Sequence, residues 1–356
     1  MASTDKSRRT TMVDVARGAD VSVMTVSFAF NRPDRVATKT RARVLAVASE
    51  LGYAGPDPNA RSLRRGSTRT LGVVLGEHLT YAFEDPQATS FLAGVAEVCV
   101  ERGFGLTIVP IVGSEEDTAR VAATAVDAFI VWATTDDDPV LDAVRKTRRP
   151  VVIHGGPSVH GVPVVGIDNR AAAHAIALIA FAASEHPGVL SFPLDRERAS
   201  FVANGIDPAA ASFPITRERL EGFRDAANEL AIPWADVTVA VASVNSAVDG
   251  EQLAAKLLSK RSIDAIAAMS DQQAIGVLRA ARSRGLAVPS DLAVTGWDDS
   301  REASDWSITT VAQSLRAQGV ACAIAALDGQ TESRVSDWSI VERGSALRPT
   351  EQEPGR

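Results

Sequence analysis

Cysteine is almost missing from this chain of 356 residues: Cys99 and Cys322 stand alone. That excludes a disulfide-stapled scaffold and a cysteine-held zinc site, and suits reduced thiols in a cytoplasm. The five histidines, His78, His154, His160, His174 and His186, show no H-x-x-x-H or HExxH spacing, so no metal site is expected and each reads as structural or surface. Long apolar runs are lacking too. The most apolar later stretch, Ala171 to Ala183, contains His174 and falls short of a bilayer span. Met1 to Thr11 is charged, without the apolar segment of a signal peptide or anchor. No G-x-G-x-x-G fingerprint, P-loop or G-x-S-x-G elbow is present, so no cofactor is expected and an α/β enzyme becomes the weaker reading.

What is present begins with three short helices. Met12, Val15, Ala16 and Ala19 fall at i, i+3, i+4 and i+7, one apolar stripe of a helix. Asp20 and Ser22 are turn and cap residues for a second helix. In it Val26 and Phe30 repeat the inward spacing, while Met24, Ser27, Phe28 and Asn31 share the opposite face. Thr38 reads as the N-cap of a third, with Val44, Val47, Ala48 and Leu51 as its stripe and Gly52 as its stop. Three such helices describe either a generic small bundle or a helix-turn-helix unit, whose second helix enters the DNA major groove. Charge separates the two. Residues 1–69 hold 13 Lys and Arg against 6 Asp and Glu, a balance of +7; subtracting from the 37 and 44 of the whole chain leaves 24 against 38, or −14. One basic module on an acidic protein places phosphate contacts on that module.

The spaced series Val13-Asp-Val-Ala16, Val21-Ser22, Thr25-Val-Ser27, Asn31, Thr38-Lys-Thr-Arg41 and Leu51-Gly-Tyr53 resembles the N-terminal signature of the lactose-repressor (LacI) family of transcription regulators. The resemblance implies DNA contacts from Thr11, Ser22, Val23, Met24, Thr25, Ser27, Phe28, Asn31, Thr38 and Arg41. Ser22, Thr25, Ser27 and Asn31 are expected on phosphates. Met24 and Phe28 stand where many relatives carry polar or cationic groups, and are expected to meet thymine methyls. The run Pro56 to Gly66 is similar to the family's hinge helix, which implies DNA contacts from Asn59, Arg61 and Leu63. Leu63 would wedge into a central base step. A flexible basic linker is the other reading of that segment.

From Thr70 onward short apolar runs alternate with helical patterns. Strands are predicted at 71–75, 106–112, 128–132, 151–154, 164–167, 189–192, 237–242, 265–269 and 292–296. Several are Val- and Ile-rich without alternation, which fits parallel sheets covered on both faces. Met269-Ser-Asp-Gln-Gln-Ala-Ile-Gly276, Gly285 to Asp299 and Thr309-Thr-Val311 are similar to the same family's effector core, a fold shared with periplasmic sugar receptors. The implied fold class is thus a small all-α helix-turn-helix domain plus an α/β two-lobed, periplasmic-binding-protein-like core of two doubly wound parallel sheets. The expected domains are 1–55 (DNA-binding), 56–69 (hinge), 70–347 (core) and 348–356 (disordered tail). The N-lobe would comprise about 70–166 and 300–328, and the C-lobe 167–299 and 329–347. Crossings are expected near 166–168, 298–304 and 329–332.

By motif match, Asp271 is the family aspartate that accepts from ligand hydroxyl or amino groups, and Arg219 an arginine that donates from the same lobe. For both a structural salt bridge is the other reading. Asp168 and Asp298 match positions near the crossings. Tyr81 and Phe83 are offered to the cleft mouth or to the core. Asn245 replaces an aromatic common in relatives, which implies amide hydrogen bonds instead of a stacking face. The span Pro193 to Ile215 looks longer than the family norm and either covers the cleft or lies on the surface. The expectation is a non-enzymatic, cytoplasmic, nucleoid-associated regulator. It is expected to be a repressor that binds a pseudo-palindromic operator as a homodimer and answers to a small molecule of the sugar class. A soluble sugar receptor would share the core, but would have no use for the basic N-terminal unit.

Overall fold

The computed structural model describes residues 10–55, 66–77, 79–260 and 263–346. The chain divides into two compact units, Met1–Thr68 and Arg69–Arg356.

The first unit holds α1 (Met12–Gly18), α2 (Val23–Asn31) and α3 (Thr38–Glu50). Thr11 and Asp14 form a reciprocal capping box at the start of α1, and the Ser22 hydroxyl accepts the Thr25 amide at 3.1 Å to start α2. Val15, Ala16, Ala19, Val26, Ala29, Val44 and Ala48 make the small core. Met12, Val21, Phe30, Val47 and Tyr53 pack around it. Two expectations need correction. Thr38 is the first helical residue of α3 and Ala37 its cap, with no side-chain bond. Leu51 lies beyond the last helical residue, where the stripe has left the core, and is exposed.

The second unit contains two sheets. The first has the order β12-β5-β4-β3-β1-β2, from β1 (Thr70–Leu75), β2 (Gly105–Pro110), β3 (Ala128–Trp132), β4 (Val151–His154), β5 (Val164–Gly166) and β12 (Arg334–Val335). All its pairs are parallel, and in register Val73 lies opposite Ile108 and Ile130. The second has the order β13-β11-β10-β9-β6-β8-β7, from β6 (Pro187–Ser191), β7 (Phe201–Asn204), β8 (Thr238–Val241), β9 (Ala265–Ala268), β10 (Ala293–Asp298), β11 (Thr309–Ala312) and β13 (Ser339–Val341). Only its edge strands β7 and β13 run antiparallel. Each sheet carries an apolar cluster on either face, as parallel sheets require. Helices Asn169–Phe181 and Pro214–Glu229 pack so closely that a Cβ on Gly222 would lie 2.3 Å from the Arg170 carbonyl oxygen.

The chain leaves the first sheet after Gly166 and enters helix Asn169–Phe181 of the second lobe. The next crossing differs from the expected 298–304. Thr309–Ala312 pairs parallel to β10, so the chain stays in the C-lobe through Ala312 and returns just before helix Leu315–Asp328. The last crossing is also later than 329–332, because Arg334–Val335 still pairs with β5 and only Ser339–Val341 joins β11. Strands of two to four residues are too short to announce themselves by periodicity, and they moved both boundaries.

Candidate functional site

On the helical unit, Val23 and Met24 are exposed at the start of α2, Met24 by 63%. Phe28 is half-buried. The polar side chains of this helix already serve its own ends: Ser22 caps it and shares a 2.8 Å contact with the Thr25 hydroxyl, and Asn31 donates to the Ser27 carbonyl at 2.9 Å. Arg41 donates from Nε to the Ala29 carbonyl at 3.3 Å, tying α3 to the end of α2. Thr11 is held by Asp14. Thr38 is exposed on the first turn of α3. Such bonds fix the presentation of α2. Asn59, Arg61 and Leu63 lie outside the described residues.

In the second unit a cleft opens between the lobes at the carboxyl ends of the strands. It holds a cavity of about 370 Å³, walled by Tyr81, Trp132, Phe192 and Phe213 among others, and a smaller one of about 80 Å³ at Arg219 and Asp298. Tyr81, Trp132, His154, Phe192, Ile215 and Asn245 wall both. The lobes meet across it. Asn245 donates to Asp85 at 2.9 Å and accepts from Ser270 at 2.6 Å. Arg198 pairs with Glu77 at 2.5 Å, Arg217 with Asp136 at 2.5 Å, and Arg196 with Asp138. The Asp136 amide also donates to the Ser212 carbonyl at 3.2 Å. The span Pro193 to Ile215 thus reaches from the C-lobe to the Glu77 and Asp138 carboxylates of the N-lobe, and Arg217 just beyond it reaches a third, Asp136.

Arg219 is buried. Its Nε donates to Asn169 at 3.0 Å and its Nη1 to the Met269 carbonyl at 2.5 Å, and its guanidinium lies 3.7 Å from the Trp297 ring centre. Burial pulls it down to about 10, against the opposing pull of Asp298 and Glu218. Burial raises the Asp298 carboxyl well above the usual range, and the neighbouring Asp271 carboxylate adds to that shift. Asp298 also sits at φ +112°, a conformation costing on the order of 1–3 kcal/mol in a non-glycine residue and concentrated at functional sites.

A chain of amides runs from this carboxylate across the lobes. Gln313 donates to Asp298 at 2.8 Å, Gln318 donates to Gln313 at 3.1 Å, and Gln318 Oε1 lies 2.8 Å from His154 Nε2. With Gln313 Nε2 donating to Asp298 and Gln318 Nε2 donating to Gln313, the Gln318 oxygen is the atom turned to the ring, so in this arrangement His154 carries its proton on Nε2. Nδ1 is then a bare acceptor, without a partner among the described residues. Burial holds His154 neutral, its pKa lowered to about 4.

Of the effector residues expected from the sequence, the structure brings Tyr81, Asn245, Arg219 and Asp298 together in the cleft. The others lie elsewhere. Asp271 walls neither cavity: its oxygens accept the Ser300 amide and the Thr310 hydroxyl, both at 2.7 Å. Asp168 caps helix Asn169–Phe181, accepting the Ala171 amide at 2.9 Å, and is exposed. Phe83 is 69% exposed and walls neither cavity. Sequence reasoning missed Glu77, Trp132, His154, Phe192, Arg198 and Gln318, whose roles depend on partners far along the chain. Among the described residues no cluster of three potential metal ligands occurs, and no helix is long and apolar enough to cross a membrane.

Residues 11–56 match the family described as bacterial regulatory proteins, lacI family, and residues 197–345 match a periplasmic binding protein-like domain. An HTH-type transcriptional regulator of Mycobacterium tuberculosis is 38% identical over 86% of this chain and 87% of its own length. The chain belongs to the LacI family. A second relative of this LacI-family protein, the HTH-type transcriptional regulator IpsA of Corynebacterium glutamicum, is 32% identical over 93% of each chain. Among solved structures, a LacI-family transcriptional regulator from the same species superposes with a TM-score of 0.70 at 27% identity, over 96% of this chain and 99% of the other. A complex of the transcriptional regulator CelR with cellobiose gives 0.66 at 25% identity, over 95% and 100%. This LacI-family chain is therefore a DNA-binding transcriptional regulator and not an enzyme, and its second unit has the two-lobed fold of that family.

Proposed function

We propose that this regulator is a homodimeric repressor, working in the cytoplasm at the nucleoid. It reads a pseudo-palindromic operator with paired α2 helices and hinge segments, and it is controlled by a small polyhydroxylated ligand of the sugar class in the cleft. The observation that carries the reading is the cleft itself, in which Tyr81 and His154 of one lobe face Arg219, Asn245 and Asp298 of the other. A ligand held by both lobes stabilises one lobe arrangement over another, and that difference is what an effector needs to change DNA affinity. The cellobiose bound by CelR supports the ligand class. On DNA, exposed Met24 and Val23 with half-buried Phe28 offer apolar contact to thymine methyls, while the capping hydroxyls and amides orient the helix against phosphates.

The test combines sedimentation with fluorescence anisotropy on a palindromic operator found by selection from random DNA. The expected result is a dimer on a two-fold site, with affinity shifted by a sugar and that shift lost in Arg219→Ala. Phe28→Ala should change which half-site is preferred. An equal loss on all DNA would count against base reading by Phe28, and a monomer binding a single half-site would overturn the dimer.

A further inference from the structure

We propose that the cleft takes a neutral or aminated polyhydroxylated ligand and turns away phosphorylated and carboxylated ones. This rests on the cleft being the effector site. The first observation is charge. Glu77, Glu84, Asp85 and Asp298 wall the two cavities against Arg198 and Arg219. Arg198 is committed to Glu77 at 2.5 Å and to the Ser243 carbonyl at 3.3 Å. Arg219 has two of its nitrogens bonded to Asn169 and Met269. Even with Asp298 pushed towards its neutral form by burial and by Asp271 behind it, the three carboxylates Glu77, Glu84 and Asp85 stand against two cations. A phosphate entering this enclosure would leave water to face like charge, which costs more than any bond a part-occupied guanidinium returns.

The second observation is independent of charge. His154 is 4% exposed and walls both cavities. Its Nε2–H is pinned by the chain through Gln318 and Gln313 to Asp298, so Nδ1 can only accept, and nothing among the described residues donates to it. An unpaired buried acceptor costs free energy until a donor reaches it. Hydroxyl and ammonium groups carry that proton, whereas the ionised oxygens of phosphate and carboxylate do not. Arg219 on the opposite lobe supplies the donor for a hydroxyl's own lone pairs, so a polyol satisfies both sides at once.

The experiment titrates the full-length protein calorimetrically with matched sets: glucose, galactose, mannose and ribose as neutral sugars, glucosamine and galactosamine as aminated ones, glucose 6-phosphate and ribose 5-phosphate as esters, and gluconate and glucuronate as carboxylates. Cellobiose completes the panel. We expect at least one neutral or aminated member to bind, with its charged counterpart weaker by about tenfold or more. His154→Phe should lose a comparable factor on that member, and Gln318→Leu, which frees the imidazole tautomer without touching the cavity charge, a smaller one. A phosphate or carboxylate that binds as tightly as its neutral parent, with binding abolished in Arg219→Ala, would overturn the ligand class and leave the cleft as the effector site. Silence from every member up to about 10 mM would overturn the class and the cleft reading together. Undiminished binding in His154→Phe would overturn the role of the bare acceptor.

Discussion

Replacing His154 by glutamine should flatten part of the acid dependence of stability. His154 is 4% exposed and is held neutral by burial, its pKa lowered from 6.5 to about 4. Above pH 6.5 the ring is neutral in folded and unfolded chains alike and contributes nothing to the pH dependence. As the pH falls from 6.5 towards 4, the unfolded chain takes up a proton that the folded one refuses, so stability is lost through that window and levels off below it. At 1.36 kcal/mol per pH unit the loss approaches about 3 kcal/mol. Glutamine at this position does not titrate, yet its amide can donate to Gln318 in place of the ring nitrogen. Lost contact with Phe91, whose ring centre lies 4.7 Å away, lowers the variant by an amount that does not vary with pH. Acid-sensitive carboxylates such as Asp117, which burial would raise but three backbone amides hold low, act equally in both proteins and cancel in the difference. The assay is urea unfolding followed by tryptophan fluorescence at several pH values from 7 down to 4.5. Trp132, Trp234, Trp297, Trp306 and Trp338 all lie in the second unit, so the signal reports the core alone. Parallel profiles for the two proteins would refute a neutral buried His154.

Other expectations are simpler. Ser22→Ala removes the cap of α2 and should cost about 1 kcal/mol in the helical unit, read as a weaker operator complex and faster amide exchange at Thr25. Gly296→Ala would place a Cβ 2.4 Å from an Asp271 oxygen and 3.0 Å from Ile308; about 1–3 kcal/mol of overpacking should appear as a lower melting temperature, and an unchanged melt would show that Asp271 is free to move. Replacing Arg196, Arg198 and Arg217 together by alanine removes three pairs across the cleft. Arg217 and Asp136 are 28% and 46% exposed and contribute at most about 1 kcal/mol, whereas the Asp138 carboxylate is 1% exposed, so its loss of Arg196 costs more. The triple variant should give a larger radius of gyration in solution scattering than the wild type at low salt, and the two should converge as salt rises.

The helical unit was legible because each of its signals is local: stripes at i, i+3, i+4 and i+7 and the Ser22 cap lie within ten residues of what they specify. The long buried strands read equally well. Lobe boundaries were less legible, since two-residue β12 and four-residue β11 are defined only by the neighbours they pair with. Within the site, motif matching found Arg219 and Asp298, but could not tell that the oxygens of Asp271 are occupied by Ser300 and Thr310. His154 meets Gln318 across 164 residues, and its significance comes from a tautomer fixed three hydrogen bonds away. No sequence window contains that information.

The three crossings between the lobes bear on how the protein is made. Helix Leu315–Asp328 packs on the first sheet, and β12 closes one edge of it, yet both are synthesised after almost the whole of the second lobe. At about 5–20 residues per second, β5 waits roughly ten to thirty seconds for the segments that cover its neighbours. During that interval the nascent first lobe shows an uncovered apolar face and an unpaired strand edge, while the helical unit, all of whose described core residues precede Gly55, can already be folded. Translation speed and chaperone capture should therefore govern the yield of this regulator more than the stability of the finished molecule does.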